Sequence, residues 1–324
     1  MSVLFRCGAC VLALLVCVGA GALRAAEYPT QPVRIIVGFP AGAAGDLISR
    51  AVAAHLGNDL GQQFVVENRP GASSNIATQY AARASKDGYT LFLGTVANTV
   101  NAAVYSKLPF DFTKDFTPMA LIATVPVVLV AHPSLGVSNV KELIALAKSK
   151  PGQLNYASSG IATTPHLAGA LLNVRAGIKI VHVPYQGSSP AVVDLLAGRT
   201  QIMFAPVSVV LPHIRAGKLK ALAWAAPKRS SVLPDIPTVA EVGLPDLDAS
   251  IWFGLMAPTG TPMPILDKLS MTLNKLLKSP TVLAQLEKMG YVPLGGTPAD
   301  FTRYINSEIG KWSAAVEAAG VPKK

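Results

Sequence analysis

Short runs of apolar, largely β-branched residues alternate along most of this chain with stretches whose apolar positions recur every three or four residues. The first run, Val33-Arg34-Ile35-Ile36-Val37, predicts a strand; 46–60 then predicts a helix and 64–66 a second strand. Further strands are predicted over 90–93, 127–131, 154–157, 180–183, 202–204 and 219–224, with helices between them. In 139–148, Val140, Leu143, Ile144 and Ala147 fall on one helical face, a stripe that reads as core packing rather than a cofactor-binding motif. This alternation predicts an α/β fold. The last third differs. A Pro-rich stretch, 233–245, reads as a tethered surface connection, Trp252-Phe253-Gly254-Leu255 follows it, and helices are predicted over 264–277 and 299–319.

The apolar excess is concentrated at one end. Residues 9–22 carry no charge, follow the single basic residue Arg6 and end in Ala20-Gly21-Ala22. A dozen apolar residues before small ones is too short to span a bilayer and reads as a secretory signal over 1–26, cut after Ala22, Ala25 or Ala26. All three cysteines, Cys7, Cys10 and Cys17, lie inside it, so the mature chain is expected to carry no thiol chemistry. The 324 residues are 51% hydrophobic and 14% charged, with mean hydropathy +0.41, which excludes disorder and favours two domains. Losing Arg6 and Arg24 takes the 28 basic residues to 26 against 18 acidic ones, so the formal +10 becomes about +8. That charge is dispersed, without a basic stripe interleaved with aromatics, so no nucleic-acid partner is expected.

In open α/β sheets ligands sit beyond the carboxyl ends of strands, where the following helix presents unpaired N–H groups. Four such turns carry the candidate site. In the first, Phe39, Ala41, Gly42, Ala43 and Ala44 are small or flanking residues that let a ligand approach the backbone, and Asp46 is the expected cap. The second combines Ser158, Gly160, Thr163 and Thr164, with Thr164 as the expected N-cap and Pro165 at the first helical position, and brings His166 into the first turn. The third holds Tyr185 and Gln186 ahead of Ser189, the expected cap, and the fourth holds Thr95 and Asn98. Each turn also fits an ordinary capped helix; together they point to a small anion held without a cationic side chain.

Hydrolase and zinc signatures are missing. There is no G-x-S-x-G run, and the five histidines stand apart in sequence without H-E-x-x-H spacing, so no metal and no cofactor are expected.

The ordered motifs Tyr28-Pro29, Phe39-Pro40-Ala41-Gly42 with Asp46, Val66-Glu67-Asn68-Arg69-Pro70-Gly71, Asp87-Gly88-Tyr89-Thr90-Leu91, Lys114-Asp115-Phe116-Thr117-Pro118, Leu154-Asn155-Tyr156-Ala157-Ser158, His182-Val183-Pro184-Tyr185, Leu211-Pro212-His213-Ile214 and Leu233-Pro234-Asp235-Ile236-Pro237-Thr238-Val239 run through the chain. In this the chain resembles the Bug-type solute receptors of tripartite tricarboxylate transporters. The resemblance implies a two-domain periplasmic-binding-protein fold of the type II flytrap kind, each domain a mixed sheet flanked by helices. Residues 27–127 plus 251–324 would form one domain and 128–250 the other. It further implies a monomeric periplasmic protein, not an enzyme, that binds a small organic carboxylate through backbone amides and hydroxyls and serves membrane transporter subunits. The alternatives are a receptor that reports ligand to a sensor protein and an enzyme acting on organic anions.

Three departures from the family pattern matter. Gly42-Ala43 stands where two glycines are usual, Ala170 where an acidic residue is common, and Met203-Phe204-Ala205-Pro206 where Met-Phe-Asp-Asn is common. Ala205 and Pro206, at a strand end facing the implied cleft, thereby replace two polar side chains, which points to a less polar pocket for an aliphatic or aromatic carboxylate.

Overall fold

The computed structural model describes residues 28–244 and 247–321; the signal segment and the end of the Pro-rich stretch lie outside them. In chain order, β1 (Val33–Val37), β2 (Phe64–Asn68), β3 (Thr90–Thr95) and β4 (Phe116–Val125) belong to one sheet. The chain then crosses at Pro126 into a second sheet made of β5 (Val127–Ala131), β6 (Asn155–Ser158), β7 (Val181–Pro184), β8 (Ile202–Pro206) and β9 (Lys220–Trp224). It returns to the first through β10 (Ile251–Pro258) and β11 (Val292–Pro293).

The first sheet has the order β11-β4-β10-β3-β1-β2 and the second β7-β6-β8-β5-β9. In the first, β1 runs parallel to β2 and β3 while β10 runs antiparallel to β3 and β4. In the second, β6 runs parallel to β7 and β8 while β5 runs antiparallel to β8 and β9. The two crossings lie side by side, because Ile251 pairs with Val125 and Ala225 N–H donates to the Val127 carbonyl at 2.8 Å. Strands β3, β5, β8 and β10 are buried along their whole length, as strands covered on both faces must be.

Helices α1 (Ala44–Leu60), α2 (Asn75–Ala82) and α3 (Val96–Val104) follow β1, β2 and β3. On the second sheet α4 (Val140–Ser149), α5 (Thr164–Ala176), α6 (Ser188–Leu196) and α7 (Val207–Arg215) follow β5 to β8. The chain ends in α8 (Met263–Leu276), α9 (Pro280–Lys288) and α10 (Pro298–Ala318), the last packed across α3 and β4. The expected stripe holds in α4: Asn139 caps it by accepting from Glu142 N–H at 2.9 Å, and Val140, Leu143 and Ala147 are buried. Helix α1 stops where Gly61, at φ 70°, turns its N–H back to the Gly57 carbonyl. Among the described residues no helix is long and apolar enough to cross a membrane.

Candidate functional site

The carboxyl ends of the parallel strands of both sheets face each other across a cleft. At its inner end is a cavity of about 30 Å3. Among the described residues, five helices begin on it: Ala43, Ala44 and Gly45 at the start of α1, Thr95, Val96 and Ala97 at α3, Thr163, Thr164 and Pro165 at α5, Ser188 at α6 and Pro206 at α7. Phe39, Ser159, Ile251 and Phe253 complete the wall, so no charged side chain lines it among the described residues. Each helix start carries a partial positive charge of about half a unit and unpaired N–H groups. The fit is therefore to an anion, with an apolar surround. Thr164 Oγ1 is buried at this wall without a hydrogen-bond partner, an uncommon state for a buried hydroxyl.

The loops are held from beneath by side chains that do not reach the cavity. Asp46 Oδ2 accepts from Gly42 N–H at 2.9 Å, its Oδ1 accepts from Arg50 and Asn68, and Asn68 also donates to the Phe39 carbonyl. Burial works to raise the Asp46 pKa, but these donors outweigh it and keep the carboxyl below its usual range. In the other lobe, Ser158 Oγ accepts from Gly160 N–H at 3.2 Å and lies 2.6 Å from His182 Nε2. His182 stacks between Tyr156 and His166, with centroids 4.8 and 4.1 Å away. Burial, and then the neighbouring His166, push the His182 pKa down to about 3, so it stays neutral. Thr163 Oγ1 donates to the Gly160 carbonyl at 2.6 Å, closing the loop on itself.

Phe39 and Ser159 also line an outer compartment of about 310 Å3, walled by Gly71 to Ser74 and Tyr105 on one side and by Gly160, Ile161 and Pro184 to Gln186 on the other. Ala72, Ser73 and Ser74 are consecutive non-glycine residues at φ 45°, 53° and 77°. Left-handed backbone costs an L-residue about 1–2 kcal/mol each, so the surroundings must impose it. They do so through Asn101, which donates to the Ser73 carbonyl, and Thr78, which donates to the Ser74 carbonyl, both at 2.8 Å. A larger hollow of about 1020 Å3 lies away from the cleft, over β1 and α2. Two of its three arginines already have partners: Arg34 reaches Glu67 and the Tyr80 hydroxyl, and the Arg69 guanidinium sits 3.6 Å over the Tyr80 ring.

Over residues 48–321 the chain matches the family model of the tripartite tricarboxylate transporter family receptor, TctC. It belongs to that family. This receptor is 37% identical over 307 residues to Protein BugT of Bordetella pertussis, covering 94% of each chain. Among solved structures it superimposes on Rpa4515 of R. palustris with adipate at TM-score 0.88 and 36% identity, covering 90% of this chain and 98% of that one. MatC from Rhodopseudomonas palustris, with bound malate, gives TM-score 0.84 and 32% identity, covering 89% and 100%. The receptor is thus a solute-binding protein of the Bug type, with the periplasmic-binding-protein fold, and not an enzyme.

Of the residues singled out from the sequence, the structure of the receptor brings Phe39, Ala43, Ala44, Thr95, Thr163, Thr164 and Pro206 to the inner cavity and Gly160, Tyr185 and Gln186 to the outer one. Ala41, Gly42, Asp46, Asn98, Ser158, His166 and Ala205 line neither. Ala41 accepts from Ser189 Oγ of the opposite lobe at 3.0 Å, and Asn98 binds Thr95 N–H and Thr78 Oγ1. Three capping expectations shift. The N-caps are Ala43, Thr163 and Gly187, not Asp46, Thr164 and Ser189, which sit inside the first turns of their helices. Nor do His166 and His182 stand apart, since folding stacks their rings; yet among the described residues no three His, Cys, Asp or Glu could hold a metal. The sequence reading missed Ser159, Ser188, Ile251 and Phe253, and the whole segment from Gly71 to Ser74. For the last, the turn-forming cluster Gly71-Ala72-Ser73-Ser74-Asn75 was the available signal.

Proposed function

We propose that the protein is exported to the periplasm on residues 1–26, captures a small organic carboxylate in the cleft and delivers it to the membrane subunits of a tripartite tricarboxylate transporter. The convergence of five helix starts from both lobes on one uncharged, largely apolar cavity carries this reading. The carboxylate is held by the N–H groups of α1, α3 and α5 and by Thr164, with Phe39, Ala43, Ala44, Thr95, Thr163 and Pro206 around it. Charge-assisted hydrogen bonds are worth about 1.5–3 kcal/mol each, so three or four with burial of the carbon skeleton can reach the roughly 8 kcal/mol of micromolar binding after ordering costs. The lobes act as domains, 27–127 plus 251–324 and 128–250, that close as a monomer around the ligand.

Pro206 in the wall, with Val96, Ile251 and Phe253 nearby, supports a preference for aliphatic or aromatic acids over citrate. The bound adipate and malate of the two neighbours support a carboxylate. Calorimetry with adipate, benzoate, malate and citrate tests both levels. Adipate or benzoate is expected to bind best; citrate binding best removes the apolar preference, and no binding by any acid removes the carboxylate.

A further inference from the structure

His166, in the first turn of α5, lines neither compartment, yet its ring is buried and fixed in place. It stacks on His182 at 4.1 Å, and the Tyr156 hydroxyl donates to the His166 carbonyl at 3.3 Å. Its Nδ1 accepts from the Ala162 N–H at 3.2 Å, and an imidazole nitrogen that accepts carries no proton. Ala162 is a fully buried non-glycine residue in the left-handed region, at φ 60°. The same N–H belongs to the Ile161–Ala162 peptide, whose carbonyl accepts from Ser73 Oγ of the opposite lobe. A trans peptide is planar with its C=O and N–H on opposite sides, so Ser73 and His166 grip the two ends of one rigid group. The far side is built alike. Ser73 is itself left-handed, at φ 53°, and the buried Asn101 donates to its carbonyl at 2.8 Å. Gly160 leaves the contact clear: a Cβ there would lie 2.9 Å from Ser73 Oγ and 3.3 Å from the Tyr185 carbonyl. Two strained non-glycine segments therefore meet across the cleft, each held by a buried polar side chain behind it.

Resting on the reading above that the two lobes close around their ligand, we infer that the Ile161–Ala162 peptide is a latch for the closed arrangement and that His166 is its positioning residue. His166 touches no ligand; it holds the peptide so that the Ile161 carbonyl faces Ser73. Without the acceptor at Nδ1, the Ala162 N–H is left buried and unpaired. The peptide recovers that hydrogen bond only by turning, which swings the Ile161 carbonyl away from Ser73 and releases the other lobe. The latch is made of protein atoms alone, so it acts on closure whichever solute is bound.

The test is the distance between two spin labels, on cysteines introduced one per lobe, since residues 27–324 contain no cysteine of their own. Double electron–electron resonance on the full mature protein, without solute and along an adipate titration, counts the closed and open populations. Ser73→Ala and His166→Leu are each expected to lower the closed-to-open ratio about three- to tenfold at equal adipate. The double variant is expected to fall no further than the stronger single one, because both changes act on one peptide. His166→Asn loses the ring as leucine does but offers Oδ1 as an acceptor, and is expected to recover most of the wild-type ratio. Additive losses, or equal losses in the Asn and Leu variants, would assign His166 to packing and overturn its positioning role. An unchanged ratio in Ser73→Ala overturns the latch, even where the His166 variants fold poorly. In each of these outcomes lobe closure still stands, whereas a single distance in every protein at every adipate concentration removes closure itself.

Discussion

At the residue scale, Thr164 is the clearest test of the inner cavity. Its hydroxyl is buried and unpaired, which costs the empty receptor stability that a bound oxygen would restore. Thr164→Val keeps the shape and deletes the donor. The expected outcome is about five- to tenfold weaker adipate binding with Tm unchanged or slightly raised; unchanged affinity in calorimetry removes the residue from the site. Thr164 was visible in the sequence as a hydroxyl at a helix start, but its place in the helix was not. Thr163 takes the cap because its backbone is extended, at φ −100° and ψ 159°, which puts Thr164 in the first turn with its side chain at the wall. Asp46 shows the reverse case: the sequence offered it as a cap and a site residue, and folding instead commits its carboxylate to Gly42, Arg50 and Asn68.

At the scale of elements, the start of α6 sets how closely the lobes can approach. Gly187 has φ 134°, and a Cβ there would come 2.4 Å from Pro40 Cδ across the cleft. Gly187→Ala is therefore expected to prop the cleft open and weaken ligand binding at least about tenfold, equivalent to about 1.4 kcal/mol. Local strain alone would lower Tm and leave calorimetric affinity unchanged, and that result would contradict the steric role. The same scale shows which elements periodicity could reveal. Strand β5 appeared where expected as an unbroken β-branched apolar run, and α4 as an uninterrupted stripe at helical spacing. Strand β4 escaped because Pro118 interrupts it. In the sheet Pro118 pairs with Met256, beside an irregularity between Leu255 and Met256 that lets the ladder tolerate a missing donor. Strand β10 is buried throughout like β5, but Gly254 breaks its apolar run and it lacks the β-branched repeat of β5, and nothing local distinguishes Ile251 and Phe253, which reach the cavity, from core residues.

For the whole molecule, the two lobes exchange hydrogen bonds across the cleft in both directions. Ser73 Oγ donates to the Ile161 carbonyl, and Ser189 Oγ donates to the Ala41 carbonyl at 3.0 Å. These contacts and the small inner cavity describe a closed arrangement, so a ligand must enter a more open one. The side-by-side crossings at Pro126 and before Ile251 form a natural hinge for that motion. A transporter can respond to closure only if ligand stabilises it differentially. Small-angle scattering is expected to show a smaller radius of gyration at saturating adipate, and superimposable curves with and without bound ligand would contradict flytrap closure.

The sequence by itself determined the alternation of strands and helices, the polar turns at strand ends and the family, because each of these is written in local periodicity, composition or ordered motifs. Only the tertiary structure decided which turns share a cavity, that His166 stacks on His182, and that a strained serine run walls the outer compartment. Those facts depend on residues far apart in the chain, brought together by two crossings between sheets, and no local pattern encodes that distance.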